Sequence, residues 1–426
     1  MPIIRSNAIR IKRFRELKAD LRTRRDRLLV GIDIAKAQHV AQVRLAHTRI
    51  LDKELAVPNT WAGFDRFWAH LQRRQRETGA AEIVCAVEPT GTYHQALATF
   101  LERHSVDVVL VCNHVAALNR RTLDRTWGKT DPKDAHNLGD LLERGLVLFY
   151  SLPDEPLAAL RRLVRLLRQA RTDLAAGKAR FRNTLLPALG PAGAPLPAGI
   201  VAALPAPLRV LLPAAQRRAL PAVGDPLPPA LAFELTDLAA RLVSVRMRIA
   251  RIAAELVRVA APLPAYALLL SLPGVGPTLA AILLAEIGDI AWYTKFSQLR
   301  KLAGLDIIRM ASGQWAGTAR ISRCGRPLFR WALYQAALGA ARTAHGRAWR
   351  AALRAKRAGD PHAFFKANVE LAAKLLRLIW GVWRSGRPYE SRGGFVRPLT
   401  TPSGRQAVRM PHTGALTRRT ETSQRA

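Results

Sequence analysis

Apolar and polar residues follow each other along residues 28–150 in a pattern that predicts an α/β domain. Residues 28–34 and 39–46 read as strands joined by a hairpin, and residues 50–57 as a third strand. Residues 61–74 have helical spacing, with Phe64, Phe67, Trp68 and Leu71 on one side. Two buried strands, 83–87 and 108–111, flank a helix over 93–104. Three strands followed by alternating helix and strand predict a ribonuclease H-like fold.

Helical spacing dominates the rest of the chain. Residues 155–186 and 235–261 predict long amphipathic helices with arginines on their polar faces. Eleven prolines between residues 186 and 230 exclude one continuous helix there. We therefore predict a basic N-terminal arm (1–27), the α/β domain (28–150), a helical, coiled-coil-like region (151–262) with a proline-rich insert (187–230), an α-helical C-terminal domain (263–390), and a disordered basic tail (391–426).

A formal charge of +36, from 67 basic and 31 acidic residues, favours a polyanionic partner, and nucleic acid is the obvious one. The longest apolar stretches are much shorter than the roughly 20 residues of a membrane span. Cys85, Cys112 and Cys324 lack metal-ligand spacing, which suggests a reducing cytosol and no structural zinc. We expect a cytoplasmic protein that associates with the nucleoid when active.

Four carboxylates stand where a metal-dependent enzyme would need them. Asp33 and Glu88 each end a predicted buried strand, and Asp131 and Asp134 open a helical segment three residues apart. In the predicted fold the two strands are neighbours, and the later helix packs across the same edge. Carboxylate oxygens are the ligands that Mg²⁺ prefers. The four acids therefore predict a site for two Mg²⁺ ions over a phosphodiester.

Each acid also has an ordinary interpretation. The run from Asp131 to Asp134 is a good helix start, with Asp131 as N-cap and Pro132 at the first helical position. Asp33 could simply end a strand, and Glu88 could lie in an ordinary turn. The coincidence of order and placement across all four favours the metal site.

The C-terminal half contains candidate nucleic-acid contacts. Gly274 and Gly276 lie in a turn between two predicted helices, as in a helix-hairpin-helix element whose backbone amides hold a DNA phosphate. A helix turn of purely structural use also fits. Ser322, Arg323 and Arg326 precede another helix and are further candidate DNA contacts.

Short motifs stand in a fixed order in both halves of the chain. The first half has GIDIAK at 31–36, EPTGTY at 88–93 and KTDPKDA at 129–135. The second half has PGVG at 273–276, LAGL at 302–305, SG at 312–313, SRCG at 322–325 and GVWRSG at 381–386. In this order the motifs resemble those of the insertion-sequence one-ten transposase family, and the resemblance covers roughly residues 28–390.

This resemblance implies a DNA transposase, similar to Piv-type invertases, that joins a RuvC-like DEDD metal site to a catalytic serine. The acids fall on Asp33, Glu88, Asp131 and Asp134, and the serine falls on Ser312, with Ser322 as a nearby rival. The implied partners are double-stranded DNA at the element ends and target, and a structured noncoding RNA from the element. We expect a homo-oligomer, since breaking and rejoining several strands implies more than one active site. The long proline-rich middle departs from the family pattern, which is mainly coiled coil there.

Two other functions remain open at this stage. A RuvC-like nuclease would use the acids to hydrolyse DNA with water, without a covalent intermediate. A non-catalytic nucleic-acid-binding protein would need only the basic charge, with the acids acting as helix caps.

Overall fold

The computed structural model describes residues 7–89, 91–123, 130–150, 155–185, 229–308, 311–312, 315–317 and 319–390. Most of the predicted proline-rich insert and the whole predicted C-terminal tail lie outside the described residues.

A six-stranded mixed sheet forms the centre of the first domain. Its strands are β1 (Arg27–Asp33), β2 (Gln38–Leu45), β3 (Arg49–Pro58), β4 (Glu82–Val87), β5 (Asp107–Leu110) and β6 (Leu148–Phe149), in the order β3-β2-β1-β4-β5-β6. The first three strands are antiparallel, β4 is parallel to β1 and β5, and β6 is antiparallel to β5. This topology confirms the predicted ribonuclease H-like fold.

Helices cover both faces of the sheet. They are α1 (Asn7–Asp20), α2 (Trp61–Thr78), α3 (His94–Arg103), α4 (Asn113–Leu123) and α5 (Asp131–Glu143). The apolar side chains of α2 and α3 pack on the face of β1 that carries Leu28, Val30 and Ile32. Those of α1, α4 and α5 pack with Leu29 on the opposite face. Burial on both faces explains why β1 reads as a continuous apolar run.

Helix α1 lies within the segment that the sequence marks as a basic arm, and it packs on the domain. Leu17 is only 3% exposed. The Arg10 guanidinium pairs with the carboxylate of Glu102, and Arg13 Nε lies 2.5 Å from a carboxylate oxygen of Asp107. These arginines are therefore engaged by acids of the first domain, which places α1 within that domain.

Two long helices, α6 (Glu155–Leu185) and α7 (Pro229–Ala260), pack together as an antiparallel pair. Thr184, at the end of α6, donates a hydrogen bond of 3.2 Å to Glu234, near the start of α7. Further along the pair, Gly177 leaves room for the side chain of Leu242. The structure agrees closely with the helical spacing predicted for residues 155–186 and 235–261.

The described residues from 261 to 390 are mostly helical. Their helices are α8 (Pro264–Leu270), α9 (Pro277–Ile287), α10 (Phe296–Ala303), α11 (Pro327–Ala340), α12 (Ala344–Ala355) and α13 (Ala363–Ser385), with a 3-10 turn at Ile290–Trp292. Between α10 and α11 the described residues include four short strands: β7 (Ile307–Ile308), β8 (Ala311–Ser312), β9 (Trp315–Ala316) and β10 (Arg320–Ile321). β7 pairs with β10, and β8 pairs with β9.

One apolar core joins the long helices to the C-terminal helices. Leu160, near the start of α6, and Leu256, near the end of α7, are fully buried in this core. The same cluster contains Leu283 of α9, Phe329 of α11 and Leu375 of α13. The sequence suggests a boundary near residue 262, but among the described residues this one core includes side chains from both sides of it.

Among the described residues no single helix is long and apolar enough to cross a membrane. Within the described part of the chain, one pair of helices, α7 and α8, has the required length and apolar content when taken together, and the two helices meet at a bend of 118°.

Candidate active site

Asp33 and Glu88 stand at the ends of neighbouring parallel strands. The register pairs Ile32 of β1 with Val87 of β4, so the two acids are the next residues along their strands. Both are half-buried. Because parallel strands end at the same edge of a sheet, the two carboxylates are brought to one edge, as the sequence predicts.

A close helix crossing brings α5 to the same edge. A Cβ atom on Gly31 would overlap the carbonyl oxygen of Ala135 and the amide nitrogen of Gly139. Only glycine therefore lets the backbone of α5 approach β1 this closely. Asp134 directly precedes Ala135, and Asp33 lies two residues after Gly31. The crossing thus holds Asp134 beside the strand that carries Asp33.

The two acids of α5 differ in their surroundings. Asp134 is 2% exposed, whereas Asp131 is exposed on the first turn. The N-cap residue is Thr130, one position before the predicted cap Asp131, and Pro132 follows within the first turn. Asp134 is therefore the buried member of the pair. Because Thr130 is the N-cap residue, a capping role does not explain why the chain has an aspartate at position 131.

Arg120 of α4 contacts the buried acid. Its Nε lies 2.5 Å from a carboxylate oxygen of Asp134, and its side chain is 22% exposed. A buried carboxylate is costly unless an opposite charge or hydrogen bonds compensate it. Arg120 supplies that charge. The sequence predicts no helix over residues 113–123, so this residue was missed.

Buried amides fix α4 against α5. Asn119 donates hydrogen bonds of 2.9 Å to Asn137 and 2.8 Å to Asp140, and Asn137 donates one of 2.9 Å to the carbonyl of Ala116. Asn137 is 1% exposed. Since Asn119 directly precedes Arg120 in the sequence, these hydrogen bonds also hold Arg120 next to Asp134.

A second polar cluster lies where α5 faces β2. Gln42 Nε2 lies 3.0 Å from His136 Nδ1. The Arg44 guanidinium donates hydrogen bonds of 3.2 Å to the carbonyl of His136 and to the carboxylate of Glu143. Burial lowers the pKa of the Arg44 guanidinium. His136 stands two residues after Asp134, so this cluster helps to set the rotation of α5.

The four acids suit a divalent cation by the chemistry of their side chains. Their carboxylate oxygens are hard donors that suit Mg²⁺ or Mn²⁺, and two of them end adjacent strands. Within the part of the chain that the structure describes, no three His, Cys, Asp or Glu side chains are grouped closely enough to hold a metal ion. The structure therefore brings the acid-bearing elements together without forming a closed coordination shell.

Ser312 belongs to the C-terminal half of the chain. It lies on β8 and pairs through its backbone with Trp315 of β9. The β7–β10 pair, Ile307–Ile308 with Arg320–Ile321, lies on either side of the β8–β9 pair in the sequence. Ser312 thus occupies the inner part of a small β region between α10 and α11.

The residues after β10 have different roles in the structure. Arg323 is exposed with a φ of 56°, and its amide donates to the carbonyl of Gly304 at 3.1 Å. Ser322 is half-buried, and its amide donates to the carbonyl of Asp306 at 2.7 Å. The Arg326 guanidinium donates a hydrogen bond of 2.5 Å to the carbonyl of Glu286. Arg323 is therefore available at the surface, whereas Arg326 ties the loop to the end of α9.

The two glycines between α8 and α9 also differ. Gly274 has a φ of 79°, and a Cβ there would overlap the backbone of Ala336 and Ala340 on α11. Gly276 has no atom within 4 Å of an added Cβ. Close packing against α11 explains why position 274 is a glycine. At Gly276 the turn has room for a side chain.

Two family models match the chain. One, a DEDD transposase model, covers residues 30–188, and the other, described as Transposase IS116/IS110/IS902 family, covers residues 266–354. Together they span more than half of the 426 residues. The chain belongs to the IS110 transposase family. No curated protein matches it.

Membership of the IS110 family fits the distribution of the candidate residues. The first match contains all four acids, and the second contains Ser312 and the loop with Arg323. The family supports DNA transposase activity and therefore DNA partners, and its DEDD domain implies dependence on divalent metal in general.

Proposed function

We propose that this IS110 transposase cuts and rejoins DNA through attack by Ser312, with Mg²⁺ held by Asp33, Glu88, Asp131 and Asp134. The proposed metal site is supported by one observation: β1, β4 and α5 meet at one edge of the sheet. The match to the second family model, whose range contains Ser312, supports the role of the serine.

The chemistry is a phosphoryl transfer. A bound divalent cation would offset negative charge on the reacting phosphate. The Ser312 oxygen loses its proton and forms a bond to phosphorus, while the bond from phosphorus to a deoxyribose oxygen breaks and that oxygen takes a proton. The phosphoserine link keeps the bond energy, so the reverse attack by a deoxyribose hydroxyl can rejoin a strand without ATP.

The partners follow from charge and from the need to handle several strands. Double-stranded DNA at the element ends and at the target neutralises part of the +36 charge. A structured RNA encoded by the element selects donor and target DNA, and the basic helices bind its backbone. A homo-oligomer supplies more than one active site.

A denaturing gel of the full chain with labelled element-end DNA, Mg²⁺ and the flanking RNA tests this proposal. Wild type, Ser312→Ala and Ser322→Ala are compared, because Ser322 is the nearby serine with an ordinary backbone contact. We expect a protein–DNA adduct with wild type and Ser322→Ala, and none with Ser312→Ala.

Other outcomes identify other mechanisms. An adduct lost only in Ser322→Ala would move the nucleophile to that residue. Free cleavage products without an adduct in all three proteins would indicate a water-using nuclease. Binding without any Mg²⁺-dependent reaction would indicate a non-catalytic nucleic-acid-binding protein.

A further inference from the structure

A cavity of about 500 Å³ lies between the middle of α6 and the C-terminal helices, away from the acid site. Its apolar wall includes Leu167 of α6, Ile282 of α9 and Leu328 of α11. Arg168 and Arg171 of α6 also line it, as does Trp331 of α11. The volume lies within the range of about 300–1,000 Å³ that is typical of small-ligand pockets.

An aromatic ring and a guanidinium group meet at this cavity. The guanidinium carbon of Arg171 lies 5.0 Å from the centre of the Trp331 ring. Trp331 is 37% exposed, on a helix whose other side packs into the core. An exposed indole beside a planar cation is the arrangement on which nucleobases stack.

The cavity has a surplus of positive charge. Among the described residues neither Arg168 nor Arg171 makes an ion pair with a carboxylate. Burial lowers the pKa of the Arg171 guanidinium. Glu286 is the nearby acid, and burial raises its pKa although Arg326, Arg161 and Arg168 act in the opposite direction.

This charge decides between possible occupants. A second copy of the chain would bring further positive charge to the cavity, since the protein carries +36. Helix α6 itself has eight basic residues against Glu155 and Asp173. A phosphate beside a flat apolar base complements the arginines and the tryptophan together.

The position of the cavity favours DNA. Its wall includes Pro327 and Leu328, the first residues of α11, which directly follow the loop that contains Arg323. A DNA strand that contacts this loop would pass the mouth of the cavity. The volume of about 500 Å³ suits a ligand of the size of one nucleotide.

We propose that the cavity binds one nucleotide of an unpaired DNA strand, with its base against Trp331 and its phosphate on Arg168 and Arg171. This inference rests on the proposed function, because strand cleavage is the step that frees unpaired nucleotides near the loop. It assigns α6 a role in holding a DNA strand as well as in packing against α7.

Fluorescence anisotropy of the full-length protein tests this assignment. The probes are fluorescein-labelled oligodeoxythymidine, a DNA duplex of equal length and oligouridine, all without Mg²⁺. Trp331→Leu keeps apolar volume but removes the stacking surface, and Trp331→Phe restores an aromatic ring. Trp61→Leu is the matched control, since Trp61 is 59% exposed on the first domain.

We expect Trp331→Leu to weaken binding of oligodeoxythymidine about 5- to 100-fold, with the Trp331→Phe protein between it and wild type. Arg171→Gln should weaken it as well. Affinity for the duplex, and all affinities of Trp61→Leu, should stay within about twofold of wild type. Thermal unfolding of each variant confirms that it is folded, and Arg171→Gln carries the test if Trp331→Leu does not fold.

Three results would overturn the assignment. Equal losses for single strand and duplex would indicate general electrostatic attraction. A loss confined to oligouridine would identify RNA as the occupant. Unchanged affinity of the Trp331→Leu and Arg171→Gln proteins for all three probes would show that the cavity does not bind a nucleotide. Because these assays involve neither Mg²⁺ nor Ser312, failure of the serine mechanism would not affect them.

Discussion

Arg120 on α4 and Asp134 on α5 form an ion pair in which Nε and a carboxylate oxygen lie 2.5 Å apart. The acid is almost fully buried, and the arginine is partly exposed. Asp134 is also a proposed metal ligand, so Arg120 and a divalent cation would approach the same carboxylate. Arg120 therefore has two possible effects: it stabilises the fold, and it weakens metal binding at this acid.

Replacing Arg120 by Gln should separate these two effects. We expect the free energy of unfolding to fall by roughly 3 kcal/mol without metal, because a buried carboxylate loses its partner. Added Mg²⁺ or Mn²⁺ should raise the melting temperature of this variant more than that of wild type, since the cation replaces the lost charge. Thermal unfolding with and without the metal gives both quantities.

The control for Arg120 is an exposed arginine in a local pair. Arg241 lies 2.8 Å from Asp237 on α7, with both side chains well exposed. Arg241→Gln should change stability by less than about 1 kcal/mol and should leave the response to metal unchanged. If the Arg120 variant responds to metal no more than this control, Arg120 and the cation do not share Asp134.

The acids at the sheet edge should be needed for chemistry and not for DNA binding. We expect Asp33→Asn and Glu88→Gln to reduce strand transfer at least about a hundredfold, because metal ligation contributes several kcal/mol of transition-state stabilisation. DNA affinity should stay near that of wild type, since phosphate contacts by basic residues dominate it.

Asp65→Asn is the matched control, because Asp65 is exposed on α2, away from this edge. Strand transfer by this variant should equal that of wild type. Normal strand transfer by Asp33→Asn or Glu88→Gln would exclude the proposed metal site.

Gly31 should tolerate no side chain. Gly31→Ala would push Cβ into the backbone of Ala135 and Gly139, and neither backbone can move without displacing α5. We expect a loss of about 3 kcal/mol in the free energy of unfolding, measured by urea denaturation. A wild-type midpoint would contradict the close crossing of α5 over β1.

Gly276→Ala serves as the control for this substitution. An added Cβ there meets no atom within 4 Å, and the φ of −87° suits alanine. Its stability should stay within about 0.5 kcal/mol of wild type.

Hydrophobic periodicity predicted most of the first domain. The bounds of β1, β4 and α2 differ from the predicted ones by a few residues at most, because their buried positions are mostly apolar. The order of these elements along the chain was then enough to place Asp33 and Glu88 on adjacent strands.

Helices that pack through polar groups were not predicted. The buried positions of α4 include Asn119, which bonds to Asn137 and Asp140, and the buried positions around α1 include Arg10, which pairs with Glu102. Such partners lie 18 to 92 residues away in sequence. A local pattern of apolar residues contains no signal for them, and Arg120 was missed for the same reason.

Arg323 and Arg326, which follow Ser322 in the sequence, should respond differently to substitution. Arg323→Gln should leave stability near wild type, because the side chain is exposed and its backbone contacts persist. If Arg323 contacts a DNA phosphate, the slope of log affinity against log salt concentration should fall by about 0.9.

Arg326→Gln should instead lower the free energy of unfolding by about 2 kcal/mol, because its guanidinium donates to the carbonyl of Glu286. Its salt slope should match that of wild type when both proteins are measured at a temperature where they are folded. Salt titrations of DNA binding and thermal unfolding distinguish the two arginines. A reduced slope for Arg326→Gln with unchanged stability would make Arg326, and not Arg323, the phosphate contact of this loop.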